Sequence, residues 1–237
     1  MTPASIGMIY DRALTPELLD AALRVATKSG TSPDARRLLT VALRDHVSDQ
    51  EAQGKTKKCL SRIWLQPPTA ARPMIAWALD HQQLDPSHIV LHLGALIATF
   101  PFAGAVTAIA GRHLQLDGQL DPRTVKAESR QAFGDRSTID IGARKVLTTL
   151  RYLGLLKGPL GGPYTHGDQP VVPAGLAGWI AHALILTRQS TTVGIREVSL
   201  APELALLKVP SGWANGYPLL ELHTEARRTV AVSATRF

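Results

Sequence analysis

"DRSTIDIGARKVLTTLRYLGLL", residues 135–156, is the stretch whose reading decides the fold. Its apolar residues Ile139, Ala143, Val146, Leu147, Leu150 and Leu153 recur at steps of 4, 3, 1, 3 and 3, which is one face of a 3.6-residue helix. The pattern predicts a helix from Thr138 or Ile139 to Leu153, with Thr138 as its N-cap and Gly154 as its terminator. Arg144, Lys145, Thr148, Arg151 and Tyr152 lie off the apolar stripe. Such a helix seats itself by its oily side and leaves a cationic side outward.

The flanks give that helix a setting. Upstream, Asp117-Gly118 signals a turn, Leu120 a short strand, and Asp121-Pro122 the start of a helix reaching about Phe133. Downstream, "KGPLGGPYTHGDQPVVP" (157–173) reads as a long hairpin. A strand, a helix, the turn "GDRS", a second helix and a Gly-rich hairpin are, in order, the parts of a winged helix. In helix-turn-helix modules the second helix enters the DNA major groove by its N-terminal residues. Arg136, Ser137 and Thr138 fall at that end, with Asp140, Arg144 and Lys145 one turn on. Free backbone N–H groups at a helix N-terminus also bind phosphate. Thr165 and His166 fall near the wing tip, which carries little charge beyond Lys157. The same basic face also suits a solvated helix in a protein-contact module.

Charge is distributed in a way that fits a polyanionic partner. The chain of 237 residues carries a formal +7. Residues 1–54 are net −1, whereas residues 55–72 hold five basic and no acidic side chains and residues 112–157 hold nine basic against five acidic. Clustering of this kind builds a local field. In the first cluster Lys55, Lys57, Lys58 and Arg62 fall within eight residues, with Lys58 and Arg62 on one helical face. They form either a stripe along a phosphate backbone or a solvated face. Trp64 and Leu65 read as core.

Elsewhere helix signals dominate. Helices are expected from Thr15 to about Lys28, Ser32 to His46, Ser48 to Leu65, Arg72 to His81, Asp85 to Thr99, Pro101 to His113 and Ala174 to Thr187. The tail "YPLLELHTEARRTVAVSA" (217–234) alternates like two strands around a turn near Glu225-Ala226. Residues 93–111 are 19 residues without a charge, the length of a membrane span. Pro101 in the middle, six alanines and three glycines favour two short buried helices meeting at Phe100-Pro101 instead. No basic start followed by an apolar run marks a signal peptide, and a single cysteine, Cys59, excludes an intrachain disulfide, so a cytoplasmic setting is expected.

Enzyme signatures are sparse. His88 and His92 have the i, i+4 spacing of two helical metal ligands, but no glutamate base lies between them and the sequence suggests no third ligand. "GPLGGP" lacks the Lys-Ser/Thr ending of a phosphate loop, and no G-x-S-x-G elbow occurs. Asp49 and Glu51 point to different sides of a helix, and Cys59 has no evident partner for nucleophilic work. The reading is therefore non-enzymatic, with no metal and no cofactor.

Three stretches carry a family resemblance. "LHLGALIATFPFAGAVTAIAGRHL" (91–114) resembles the helix pair with a Pro near its junction in the BrxA proteins of BREX phage-defence systems. "FGDRSTIDIGARKVLTTLRYLGLL" (133–156) resembles their later segment, where a Ser-Thr turn starts a helix. "KTKKCLSRIWL" (55–65) stands where that family has a basic helix. Residues 160–237 have no matching counterpart, and the tryptophan of the family pattern before the Ser-Thr turn is absent. The resemblance implies a mostly helical, non-enzymatic DNA-binding protein working beside other defence proteins. It carries over Ser137, Thr138, Arg144 and Lys145.

The sequence thus predicts a mainly α protein: a helical region (1–110), a winged-helix module (111–173) and a C-terminal helix plus β hairpin (174–237). The expected partner is double-stranded DNA. Arg136, Ser137, Thr138, Arg144, Lys145 and Arg151 would line one contact, and Lys55, Lys57, Lys58 and Arg62 a second. The rival reading is a scaffold that recruits proteins through the module and the hairpin, and a third is membrane association through residues 89–111.

Overall fold

The computed structural model describes residues 10–30, 32–210, 216–225 and 228–233. It is mainly helical, with two small three-stranded antiparallel sheets. The first helix, α1 (Pro16–Ser29), starts where Thr15 accepts a bond from the Leu18 N–H and stops at Gly30. Helix α2 (Pro33–Ala42) ends four residues before the expected His46. In α3 (Gln50–Leu60) the Asp49 carboxylate accepts from Ala52 N–H at 2.6 Å, and the helix runs on as a π-helical turn over Ser61–Leu65. Next come α4 (Arg72–Asp80), α5 (Ile89–Thr99) and α6 (Pro101–Asp117).

Two further boundaries differ from the sequence reading. Asp85-Pro86 does not open a helix. Asp85 is buried, accepts bonds from the Ser87 hydroxyl and the Leu91 N–H, and caps a helix that begins only at Ile89. His88, at φ 56°, makes the intervening left-handed step. Helix α6 passes His113 and ends at Asp117, because its buried face continues to Leu114 and Gly118 is the first residue to turn left-handed.

Beyond α6 come β1 (Gln119–Leu120), α7 (Pro122–Phe133), α8 (Ser137–Tyr152), β2 (Leu156–Lys157) and β3 (Tyr164–His166). The sheet order is β1-β3-β2, with Leu120 opposite Tyr164 and Lys157 opposite Thr165. The whole expected stripe of α8, from Ile139 to Leu150, is buried, as is Leu153. The cap is different: Arg136 occupies the N-cap position without a side-chain bond, and Thr138 lies inside the first turn.

The C-terminal part holds α9 (Ala177–Thr187), β4 (Thr192–Gly194), α10 (Ile195–Val198), β5 (Leu220–Glu225) and β6 (Arg228–Ser233), with sheet order β4-β6-β5. The expected hairpin is therefore a three-stranded sheet. Its extra strand, only three residues long, alternates too briefly to be read from sequence. The turn residues 226 and 227 lie outside the described residues.

Among the described residues no single helix is long and apolar enough to cross a membrane, and α5 and α6 bend by 118° at their junction. Ten of the eleven residues of α5 are buried, against α6, α9 and the π-helical turn. Each large apolar side chain so enclosed contributes about 1.5–3 kcal/mol. Close approach depends on glycines. A Cβ at Gly94 would fall 2.2 Å from the Trp179 ring, and one at Gly111 only 1.9 Å from the Pro202 carbonyl oxygen. Trp179 is fixed in turn by donating from Nε1 to the Met74 carbonyl at 2.9 Å.

His182 in α9 ties the tail to this core. Its Nδ1 is hydrogen-bonded to the Tyr217 hydroxyl at 2.9 Å and its Nε2 to the Ser233 hydroxyl at 3.1 Å. Burial pushes its pKa down to about 4. The folded state thus holds this ring neutral where the unfolded chain would protonate it. The stability it contributes is present above pH 6.5 and is lost as pH falls from about 6.5 towards 4, by about 3 kcal/mol in all. Urea midpoints should fall over that window, and His182→Gln should flatten the fall; an equal slope in both proteins would remove the assignment. Gly111→Ala should cost about 2–3 kcal/mol through its backbone clash. Gly54→Ala, in α3 with nothing within 4 Å, should instead gain about 0.5–1 kcal/mol in the same denaturation assay.

Candidate nucleic-acid interface

Helices α7 and α8 pack against each other and both rest on α6. Their outer sides, with the β2–β3 loop, enclose an open groove of about 490 Å³. Arg123 and Lys126 come from α7, Arg144, Lys145, Thr148 and Tyr152 from α8, and Leu160, Gly161 and Tyr164 from the loop and β3. Among the described residues no carboxylate lines it. Arg144 and Arg123 are exposed, and Lys145 and Lys126 are half-buried. The outer face of α8 also shows Ile141 and Tyr152, each 42% exposed, and the loop tip shows Leu160 at 67%.

The charges of this region are sorted. Every carboxylate of residues 111–173 is engaged. Asp117 and Glu128 meet His113, and Glu128 also meets Arg112 at 2.9 Å. Asp121 accepts from the Arg123 N–H, Arg130 faces Asp140 at 3.6 Å and Asp135 at 4.0 Å, and Lys157 pairs with Asp168 at 2.6 Å. In contrast, Arg123, Lys126, Arg136, Arg144 and Lys145 have no ion-pair partner among the described residues.

The sequence-predicted residues are placed as follows. Arg136, Ser137 and Thr138 are exposed at the start of α8; the Arg136 guanidinium donates to the Phe133 carbonyl at 3.3 Å. Arg144 and Lys145 share the groove. Arg151 is half-buried and donates from Nε to the Gly158 carbonyl at 2.8 Å, bracing the β2–β3 loop. Lys55 pairs with Glu51 one turn back, Lys57 donates to the Thr40 hydroxyl at 3.2 Å, and Lys58 is exposed. Arg62 turns inward: its Nε donates to the Thr99 carbonyl at 2.9 Å and its guanidinium lies 5.2 Å from the Phe100 ring centroid. Burial lowers its pKa. It clasps the α5–α6 bend.

Arg123 and Lys126 were missed by the sequence reading. They stand three apart on one face of α7, a visible signal, but only the packing of α7 on α8 brings them to Arg144 and Lys145.

One short segment joins the groove to α3. The Tyr10 hydroxyl and the Leu14 N–H both bond Thr149 Oγ1 of α8, at 2.8 and 2.9 Å. Ala13 lines the groove, and Asp11 accepts from the Cys59 thiol at 3.5 Å. Burial, with Asp11 adding to it, pushes that thiol up to about 12, far from a reactive thiolate.

A second cluster lies at the start of α5. The expectation of no third ligand is corrected here, because α1 brings Asp20 to the histidine pair. Its Oδ1 lies 2.7 Å from His88 Nδ1 and 3.2 Å from His92 Nε2. Burial pulls the Asp20 carboxyl upward, but the hydrogen bonds from His92 and His88 outweigh it and hold it at about 2.

Compared with protein-family models, with curated proteins and with solved structures, the chain matches none.

Thr149→Val keeps the side-chain shape and strips two buried partners. It should cost about 2 kcal/mol in urea unfolding and speed hydrogen exchange at the Leu14 amide, whereas Thr149→Ser should behave as wild type. Unchanged exchange at Leu14 would show that Thr149 does not anchor the segment.

Proposed function

We propose that residues 111–173 form a winged-helix module that binds double-stranded DNA, chiefly through its phosphates. The observation that carries the reading is the sorting of charge: the module's carboxylates are engaged, while Arg123, Lys126, Arg136, Arg144 and Lys145 around α8 have no ion-pair partner among the described residues. Phosphate contacts fix a protein on a duplex and dominate its affinity. The element order α6-β1-α7-α8-β2-β3, with β3 in the middle of its sheet, supports the winged-helix reading.

In this reading Arg144, Lys145, Arg123 and Lys126 neutralise phosphates from the groove. Arg136, Ser137 and Thr138 approach from the open N-terminus of α8, whose first N–H groups lack a side-chain cap. Arg151 supports the loop that flanks the groove. Lys58 and Lys55 offer a lesser contact, and Arg62 contributes by holding the bend rather than by reaching DNA. Apolar Ile141 and Tyr152 on the same face give modest base preference through contact in the major groove. The resemblance of residues 55–156 to the BrxA family extends the proposal to a role beside other phage-defence proteins, without catalysis.

Neutralisation of about six phosphates predicts a log–log salt slope of about −5 for binding to a random duplex. The double variant Arg144→Ala, Lys145→Ala should keep its fold by circular dichroism, bind about tenfold more weakly at moderate salt, and lower that slope by about 2. Fluorescence anisotropy with labelled duplex, single-stranded DNA and RNA at several salt concentrations checks this. A variant with wild-type affinity and slope would remove α8 as the contact. A wild-type chain that ignores all three polymers would leave the protein-recruiting scaffold as the better account.

A further inference from the structure

Away from the groove, α1 and the start of α5 hold a donor set that the DNA reading does not use. We propose that Asp20, His88 and His92 form a site for a divalent transition-metal ion of the zinc class, with solvent completing the coordination. Their donor atoms, one carboxylate oxygen and two imidazole nitrogens, all lie within 4.8 Å of one another. Two histidines and one carboxylate, with a position left open, is a donor set that zinc and its first-row neighbours accept.

The spacing is close to what an ion needs. Ligands at the usual zinc distances stand about 3.3 Å apart in a tetrahedron. His92 Nε2 and Asp20 Oδ1 are already 3.2 Å apart, His88 Nδ1, at 2.7 Å from that oxygen, has to withdraw by about half an ångström, and the two imidazole nitrogens lie within 4.8 Å of each other. Burial divides the roles. His92 is 1% exposed and packs edge-on to Trp64, so its ring is a fixed ligand. Asp20 and His88 are each about one-quarter exposed, so the ion has an entry from solvent and room for a water ligand.

The proton accounting is permissive. Ligation needs the lone pairs of His88 Nδ1 and His92 Nε2, so each ring must carry its proton on the other nitrogen. His92 Nδ1 has no hydrogen-bond partner among the described residues and is free to take that proton; the move gives up the Nε2–H bond to Asp20, which the ion would replace by binding both atoms. Among the described residues no lysine or arginine pairs with Asp20, so the ion would be the first fixed cation beside that carboxylate. His88, which meets Asp20, holds a left-handed backbone, an uncommon conformation that Asn adopts readily.

The test uses the tag-free full chain, stripped with chelator and titrated with zinc by calorimetry and with cobalt by visible absorption. One zinc should bind with a dissociation constant of about 1 µM or tighter and raise the melting temperature, and cobalt should give the intense d–d bands of a four-coordinate site. His88→Asn, which suits the left-handed backbone, and Asp20→Asn should each weaken zinc at least tenfold and abolish the thermal shift, while His113→Gln should change neither. No zinc uptake by the wild-type chain, or equal uptake by His88→Asn, would overturn the proposal and leave a hydrogen-bonded clasp between α1 and α5.

Discussion

Helix α6 answers to two sets of neighbours at once. One side packs on α5, α9 and the Pro202–Leu204 turn; another takes α7, α8 and β1. Ten of its seventeen residues are buried, and the approach at Gly111 leaves no room for a methyl group. Because a single rod serves both groups, the described apolar core is one continuous cluster that takes in Ala110 and Leu114 of that rod together with residues of both groups. The position of α8, and with it the cationic groove, is referred through α6 to the most enclosed helices of the molecule.

That arrangement explains how a basic face stays available. A helix with buried Ile139, Ala143, Val146, Leu147 and Leu150 cannot rotate without exposing them, so Arg144 and Lys145 are held outward. The Thr149 hydroxyl, on the buried side, secures the Tyr10–Leu14 segment and so finishes one end of the groove. The carboxylates are drawn elsewhere by closer cations: Glu128 by Arg112 and His113, Asp140 by Arg130. Local neutralisation on one side leaves the field on the other uncancelled.

Much of the fold was legible because it is written in short-range signals. The stripe of α8, the Thr15-Pro16 and Asp121-Pro122 starts and the Phe100-Pro101 break all act within a few residues of themselves. Where reading failed, a distant partner intervened. Asp85 looked like a helix start but spends its carboxylate on Leu91 and Ser87 from a buried position. Arg62 shares a helical face with Lys58, yet the Thr99 carbonyl and the Phe100 ring draw it inward. Strand β4 exists only because β6 lies beside it.

The sequence by itself determined the helices, their apolar faces, the order of the parts from β1 to β3 and the excess of positive charge in two segments, since periodicity and capping are properties of neighbours along the chain. Only the tertiary structure decided which cations meet in one groove and which are consumed in holding the core. It alone carried Asp20 across 68 residues to His88. Such pairings depend on how helices pack in space, and packing is set by the whole buried surface rather than by any window of sequence.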